Sequence, residues 1–434
     1  MEEEINMNVQ EAIAYIHSMR WDRRLTGYEL AKELLGKMGN PEKKLKYVHI
    51  GGTNGKGSTA AIIASILQKA GYKTGLFTSP YLFRFQERMQ VNGEEIADED
   101  LASVTEYVKT FSEQMETQPS EFALVCCIAF EYFTRQDCDI VVLEVGMGGA
   151  NDATNVIDCP EVAILTNIGL DHTEYLGHTV EDIARTKAGI LKENGVAVCY
   201  PNTASVEGVL KECCQQKHVE QIVVDFESLK RIKRDFRGEV FDCGERKNLV
   251  LPLLGHHQVH NAAVALSAID VLKRKGWKIS EEAVSRGMQE VRWPGRFEVL
   301  HEEPLLIVDG GHNPQCMEAL AQNLHDYLSD RNVIAITGIL ADKACGEMFQ
   351  PVLPYVSEFL CITPPSPRKM EATELAELLH RAGGKTTACK SIKEALELAW
   401  ERSGKKGAVV CFGSLYSVCE IKSILKRPFI YIDF

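Results

Sequence analysis

The chain has 434 residues, 45% of them hydrophobic and 25% charged, and a formal net charge of −13. That length suits two or three domains, each with its own core, and the acidic balance excludes the basic surface usual in nucleic-acid-binding proteins. It leaves room for an anionic ligand, because a binding site responds to local fields and not to the total charge.

The N-terminus, Met1-Glu2-Glu3-Glu4, has neither the basic nor the apolar region of a secretory signal. No run of about 18 apolar residues occurs, so no membrane span is expected. The 14 cysteines are scattered, some as adjacent pairs such as Cys126-Cys127 and Cys213-Cys214. They read as free thiols of a cytoplasmic protein, and none of their spacings matches a zinc site.

In chain order, short β-prone apolar runs alternate with helical patterns. Tyr47-Val48-His49-Ile50, Gly75-Leu76-Phe77, Asp139 to Glu144 and Val162 to Thr166 read as strands, and Ser58 to Ala70 and Phe122 to Phe133 as helices. The strands lack polar alternation, as expected of a parallel sheet covered on both faces. The stretch from 218 to 252 is richer in charge and reads as antiparallel strands. A second alternating series follows, with strands at Leu305 to Val308, Val333 to Ile336, Glu358 to Cys361 and Ala408 to Phe412. Trp293-Pro294-Gly295 precedes it and marks a linker, because proline and glycine break regular structure. The expectation is an α/β protein. Residues 1–295 would form an N-terminal P-loop ATPase-like domain with a mainly parallel sheet, and residues 296–434 a smaller Rossmann-like α/β domain.

The strongest local signal is Gly51-Gly52-Thr53-Asn54-Gly55-Lys56-Gly57-Ser58-Thr59, between a strand and a helix. Glycines let backbone N–H groups approach phosphate oxygens, and the helix N-terminus adds a positive dipole end. Lys56 would reach the terminal phosphates, and Ser58 or Thr59 could offer a hydroxyl to magnesium. The loop departs from the common G-x-x-x-x-G-K-[ST] pattern, since Gly57 separates Lys56 from Ser58. Glu144 ends a strand and is followed by Gly146-Met147-Gly148-Gly149. A carboxylate there, beside a phosphate loop, suits ATP-bound magnesium. His172 follows the end of another strand in Thr166-Asn167-Ile168-Gly169-Leu170-Asp171-His172.

Gly-Thr-Asn-Gly-Lys-Gly-Ser-Thr at 52–59 resembles the phosphate loop of the folylpolyglutamate synthase and dihydrofolate synthase family. Other members of the Mur ligase superfamily usually carry threonine where Gly57 stands. The resemblance extends to Ser-Pro-Tyr-Leu-Phe-Arg-Phe-Gln-Glu-Arg at 79–88, Asp-Ala-Thr-Asn at 152–155 and Asp-Gly-Gly-His-Asn-Pro at 309–314, and it runs in family order from Gly27 to Tyr416. It implies ATP and Mg2+ as cofactors, with magnesium on Ser79, Glu144 and His172. It also implies that Lys187 is carbamylated and helps hold a second magnesium. Only a neutral amine takes up carbon dioxide, so a depressed lysine pKa would favour that modification.

Three histidines, His256, His257 and His260, precede an Ala-rich helix and could suggest a metal. The resemblance instead implies that Asn261 contacts ATP. It also places Arg296, of Pro294-Gly295-Arg296-Phe297-Glu298, on ATP phosphate, Asp309 on the nucleotide and His312 toward the active centre, with Lys56 and Lys187 as the other catalytic groups. The folate acceptor falls to Gly27, Tyr28, Phe122, Ala123, Asn151, Asp152 and Ala153. Asp342-Lys343 and Phe412-Gly413-Ser414-Leu415-Tyr416 also resemble family segments. Two departures lie in acceptor regions: Ala150-Asn151 replace an Arg-Leu pair, and Ala123 stands where the family tends to have glutamate.

The implied reaction is ATP-dependent ligation of L-glutamate to a folate or pteroate through an acyl phosphate, with ATP bound across both domains of a monomer. The alternatives are a Mur-type ligase for another carboxylate acceptor and a non-catalytic nucleotide-binding module. The latter would bind ATP without amino-acid-dependent ADP release.

Overall fold

The computed structural model describes residues 7–20, 26–341 and 348–426, so the Asp342-Lys343 pair lies outside the described residues. The chain divides into two compact units. One comprises Met1–Lys230, Phe241–Val250 and His260–Val291; the other comprises Arg231–Val240, Leu251–Val259 and Arg292–Phe434.

The first unit is built on an eight-stranded sheet. Its strands are β1 (Tyr47–Gly51), β2 (Thr74–Phe77), β3 (Met89–Val91), β4 (Glu94–Glu95), β5 (Ile140–Glu144), β6 (Val162–Leu165), β7 (Val196–Cys199) and β8 (Glu220–Val223), in the order β4-β3-β2-β5-β1-β6-β7-β8. All pairings from β2 through β8 are parallel, and β3 and β4 add an antiparallel edge. Every residue of β1, β2, β5 and β6 is buried, which is why these strands read as unbroken apolar runs. One face carries Phe77, Val141 and Leu143 against the Val9–Ser18, Gly27–Lys37, Asp98–Ser112 and Glu121–Arg135 helices. Ala163, Leu165 and Ala197 continue that face across β6 and β7, because His49 is in register with both Leu143 and Ala163, and they pack against Val180–Lys187 and Ala204–Gln216.

Side chains set the helix starts. Thr26 and Thr179 form capping boxes with Glu29 and Asp182, and Ser120 accepts the Ala123 N–H. The chain leaves β1 for β2 on one side, while β6, β7 and β8 follow on the other. Ligands bind at such a switch point, beyond the carboxyl ends of the strands.

The stretch from 218 to 252 does not fold as one antiparallel set. Glu220–Val223 is β8 and pairs parallel to β7, because the Ala204–Gln216 helix is a crossover that returns the chain in the same direction. Only β9 (Leu229–Asp235), β10 (Gly238–Cys243) and β11 (Arg246–Leu251) form a separate three-stranded sheet. Their short connections allow antiparallel pairing alone.

The second unit carries a mixed six-stranded sheet of β12 (Glu298–Glu302), β13 (Leu305–Val308), β14 (Val333–Thr337), β15 (Glu358–Cys361), β16 (Thr386–Ala388) and β17 (Ala408–Phe412), in the order β12-β13-β17-β14-β15-β16. Only β12 is antiparallel. Buried side chains cover both faces, among them Met317, Leu320 and Phe349 on one and Ile392, Leu396 and Val418 on the other. The described cysteines are free thiols. Among the described residues no helix is long and apolar enough to cross a membrane.

Candidate active site

The phosphate loop follows β1, whose neighbours are β5 and β6. In register, Ile50 faces Glu144 and Gly51 faces Leu165, so the residues after all three strands meet at one end of the sheet. The loop is held from the β6 side. Asn167 O accepts the Thr53 N–H at 2.7 Å, and Thr53 Oγ1 exchanges hydrogen bonds with the Gly169 backbone at 3.1 Å. Gly52 has φ +143° and a Cβ there would enter the Thr166 side chain; Gly55 has φ +87° and a Cβ there would enter the Asn261 amide. Both positions need glycine for conformation and for space. Asn261 is thereby placed over the loop. Gly55 caps the Lys56–Lys69 helix, and Lys56 Nζ reaches back to Thr53 O at 3.2 Å.

Glu144 is buried at the end of β5, and its Oε2 accepts the Ser79 N–H at 3.0 Å. His172 follows β6 in a left-handed conformation at φ +50°, its side chain half exposed, and opens the short Thr173–Leu176 helix. Lys187 ends the Val180–Lys187 helix, buried, with Nζ donating to Gly52 O at 2.8 Å. Burial, reinforced by the charge of Lys56 and opposed by Asp171 and Asp152, lowers its pKa to about 7. A substantial neutral fraction therefore exists near neutral pH.

The donor set fits magnesium. Among the described residues no cluster of three or more His, Cys, Asp or Glu could form an all-protein cage. Magnesium does not need one, because it usually keeps waters and takes one or two carboxylates plus substrate phosphates. Glu144 supplies such a carboxylate. The Thr59 hydroxyl and Asn167 Oδ1 are buried oxygens without hydrogen-bond partners among the described residues. Ser58 is buried beside Thr59. Sequence reasoning passed over Asn167, although it stands in the segment that supplied His172.

The residues expected to meet the acceptor divide into two groups. Tyr28 donates its N–H to Asn151 O at 3.0 Å, which joins the start of the Gly27–Lys37 helix to the loop after Gly149, and Gly27 packs on Ala153. The Phe122 ring lies against Gly146 and 6.1 Å from that of Phe77. Gly27, Tyr28 and Phe122 keep partial exposure and Asn151 is exposed. Ala123, Asp152 and Ala153 are buried. Ala123 belongs to the apolar core, so the departure from glutamate falls at a packing position. Asp152 uses both carboxylate oxygens internally, one accepting the Met147 N–H and the other the Thr154 N–H and hydroxyl.

That carboxylate is tied to β1. Thr154 Oγ1 donates to Asp152 Oδ1 at 2.5 Å and lies 2.9 Å from His49 Nε2. Nε2 must therefore carry the imidazole proton. His49 Nδ1 is buried without a hydrogen-bond partner among the described residues. Burial, with a smaller contribution from Lys192, pushes the His49 pKa down to about 3. Above the usual histidine range both folded and unfolded states are neutral and nothing is lost. As pH falls through 6.5, the unfolded chain takes up a proton that the folded ring refuses, so stability drops on the acid side. This residue should cost about 2 kcal/mol between about pH 7 and pH 5. Urea unfolding across that range should show a contribution that disappears in His49→Gln; parallel curves for the two proteins would mean the ring titrates freely.

The second unit assembles its own group. Asp309 follows β13 and accepts the Phe297 N–H at 2.9 Å and the Gly311 N–H at 2.7 Å. The Arg296 guanidinium lies against Gly310, where a Cβ would stand 2.7 Å from Nη1. His312 Nδ1 donates to Gly310 O at 3.0 Å, and Asn313 caps the Pro314–Leu328 helix. Arg296, Asp309 and His312 are thus brought together. His256, His257 and His260 do not precede a helix but form its first turns, in His256–Arg274. Gly255, at φ +108°, turns the chain just before them. His260 stacks on Phe226 at 4.0 Å and meets Tyr200 Oη at 3.1 Å.

A family model of the Mur ligase middle domain matches residues 50–269, and one of the Mur ligase glutamate ligase domain matches residues 295–415. A dihydrofolate synthase/folylpolyglutamate synthase of Bacillus subtilis (strain 168) is 32% identical over 436 residues, spanning 96% of this chain and 99% of the relative. A folylpolyglutamate synthase of Lacticaseibacillus casei is 31% identical over 443 residues, spanning 96% and 99%. The structure of Escherichia coli FolC in complex with DHPP and ADP has a TM-score of 0.86 at 28% identity, covering 97% of this chain and 98% of that one. Fold, phosphate loop and matched domains define the class as an acid–amino-acid ligase, which forms a carbon–nitrogen bond. The chain belongs to the dihydrofolate synthase/folylpolyglutamate synthase family of ATP-dependent glutamate ligases.

Proposed function

We propose that the preferred acceptor is a tetrahydrofolate, with dihydropteroate as a second acceptor at the same site. The observation that carries the reading is the convergence of the 52–59 loop, Glu144 and buried Lys187 at one end of the first sheet. Residues 1–295 act as the ATP-binding part and 296–434 as the glutamate-ligase part of a cytoplasmic monomer.

The N–H groups of Lys56 to Ser58 at the start of the Lys56–Lys69 helix and the Lys56 ammonium hold the ATP phosphates, and Asn261 and Asp309 orient the nucleotide. Ser79, Glu144 and His172 would hold magnesium, and a carbamate formed on Lys187 would add a further ligand. The ion would supply charge neutralisation on the phosphates. The acceptor carboxylate attacks the γ-phosphorus, ADP leaves, and an acyl phosphate forms. Lys56 and Arg296 stabilise the charge on the transferred group. The glutamate amine then attacks the acyl carbon and phosphate departs, leaving an amide. His312, its Nδ1 proton held by Gly310 O, is positioned to manage the amine proton through Nε2.

The test is phosphate release with Mg-ATP and L-glutamate, with tetrahydrofolate, dihydropteroate or neither, alongside product masses. Turnover with tetrahydrofolate and a gain of one glutamyl unit is expected. Turnover with dihydropteroate as well makes the enzyme bifunctional. Tight Mg-ATP binding with no turnover on either acceptor would overturn the acceptor assignment and direct attention to Ala150 and Asn151.

A further inference from the structure

Arg88 ends the segment that begins at Ser79. Its carbonyl accepts the Thr78 N–H at 3.0 Å, and Phe77 pairs with Met89. Arg88 thus sits across from the Thr78-Ser79 pair, whose Ser79 N–H is bound by Glu144. The neighbouring Glu87 does not neutralise it, because that carboxylate gathers the N–H groups of Leu82, Phe83 and Arg84 at 2.6, 2.7 and 2.9 Å. The guanidinium instead stacks over two rings, 5.0 Å from the Tyr81 centroid and 5.6 Å from that of Phe85. Nε is buried without a hydrogen-bond partner, and the side chain has no ion pair among the described residues.

Other partly buried arginines behave differently. Arg231 is paired with Glu239 and Asp326, and Arg246 with Asp270 and Glu281. An arginine stays charged in a protein, so burial without an anion is costly. Its planar fork matches a carboxylate with two parallel hydrogen bonds. The aromatic rings beneath Arg88 belong to the same apolar cluster as Phe122, Ala123 and Ala153, three of the residues expected to meet the acceptor. Burial lowers the guanidinium's pKa, and the surrounding Glu121, Tyr81, Cys126 and Glu144 oppose that shift.

We propose that Arg88 binds the acceptor's reacting carboxylate and selects for it. The ATP phosphates have the 52–59 loop and Lys56; Arg88 lies on the acceptor side, anchored beside Ser79. The guanidinium fork holds both carboxylate oxygens in the ground state, and the oxygen nearer the γ-phosphate attacks phosphorus as ADP leaves. The inference rests on the folate reading given under Proposed function.

The test is a thermodynamic cycle on binding. Equilibrium affinities for tetrahydrofolate and its γ-carboxamide are measured with Mg-ADP present, for the wild type and Arg88→Gln. The wild type should prefer the acid by about tenfold or more. Arg88→Gln should bind both compounds equally, near the wild-type affinity for the amide, with ADP affinity unchanged. If the variant keeps the acid preference, or loses ADP affinity instead, the assignment of Arg88 is overturned while the folate reading stands. A wild type that binds neither compound overturns the folate reading itself. If Arg88→Gln does not fold, Arg88→Lys keeps the charge without the fork; a reduced preference is expected, and an unchanged one sinks the proposal.

Discussion

Lys56→Met should lower kcat by about 10²–10³-fold, equivalent to about 3–4 kcal/mol of barrier, while the protein stays folded. The ammonium that methionine removes is the cation of the phosphate loop. It sits on the first residue of the Lys56–Lys69 helix and bends back over the loop to Thr53 O. Negative charge on the transferred phosphoryl group would lose its nearest donor. Stability should change little, because the substitution keeps the chain length and breaks one partly buried hydrogen bond. A second effect follows from the neighbourhood of Lys187. The charge of Lys56 is the second cause of its depressed pKa, after burial, so removing that charge should raise the pKa and shrink the neutral fraction. Steady-state phosphate release, ADP titration and thermal melting on one preparation separate these effects. A kcat within a few-fold of wild type would remove Lys56 from the chemistry.

Glu144→Gln should be nearly as damaging to turnover, by about 10²-fold or more at moderate magnesium, with partial recovery as magnesium is raised. The amide keeps the shape and can still accept the Ser79 N–H that Glu144 Oε2 accepts now. What disappears is a buried negative charge at the end of β5. Removing a charge held apart from solvent should leave the melting temperature in place or raise it. Lost activity with retained or improved stability is the mark of a ligand and not of a structural ion pair. A variant that melts early and does not respond to magnesium would mean that Glu144 chiefly supports the Thr78-Ser79 turn.

Much of the fold was legible in sequence because burial on both faces leaves a simple record. β1, β5 and β6 are unbroken apolar runs, and the structure buries each completely. β13 to β15 and β17 of the second unit read equally well for the same reason. The 218–252 stretch was harder. Its charges do signal exposed strands, but Glu220–Val223 pairs with β7, and neither propensity nor pattern tells a strand which sheet it will join. The three histidines misled in a smaller way, since histidine has no strong helical preference and their place inside His256–Arg274 depends on the turn at Gly255.

The sequence by itself determined the local chemistry: glycines at 52 and 55 that the backbone requires, a lysine and hydroxyls opening a helix, and a carboxylate ending a strand. The positive φ of the two glycines, the helix start and the strand end follow from backbone sterics and short-range hydrogen bonding, while the space denied to a Cβ at 52 and 55 comes from Thr166 and Asn261, far along the chain. The tertiary structure alone decided which of these pieces meet. Strand order places β5 and β6 on either side of β1, and that brings Glu144 and Asn167 to one loop. Packing carries Lys187 inward until its ammonium bonds Gly52 and its pKa falls. Packing also leaves Arg88 stacked on aromatic rings with no ion pair among the described residues. Desolvation and charge depend on neighbours far away in the chain, so their effects became visible only once the sheet order was known.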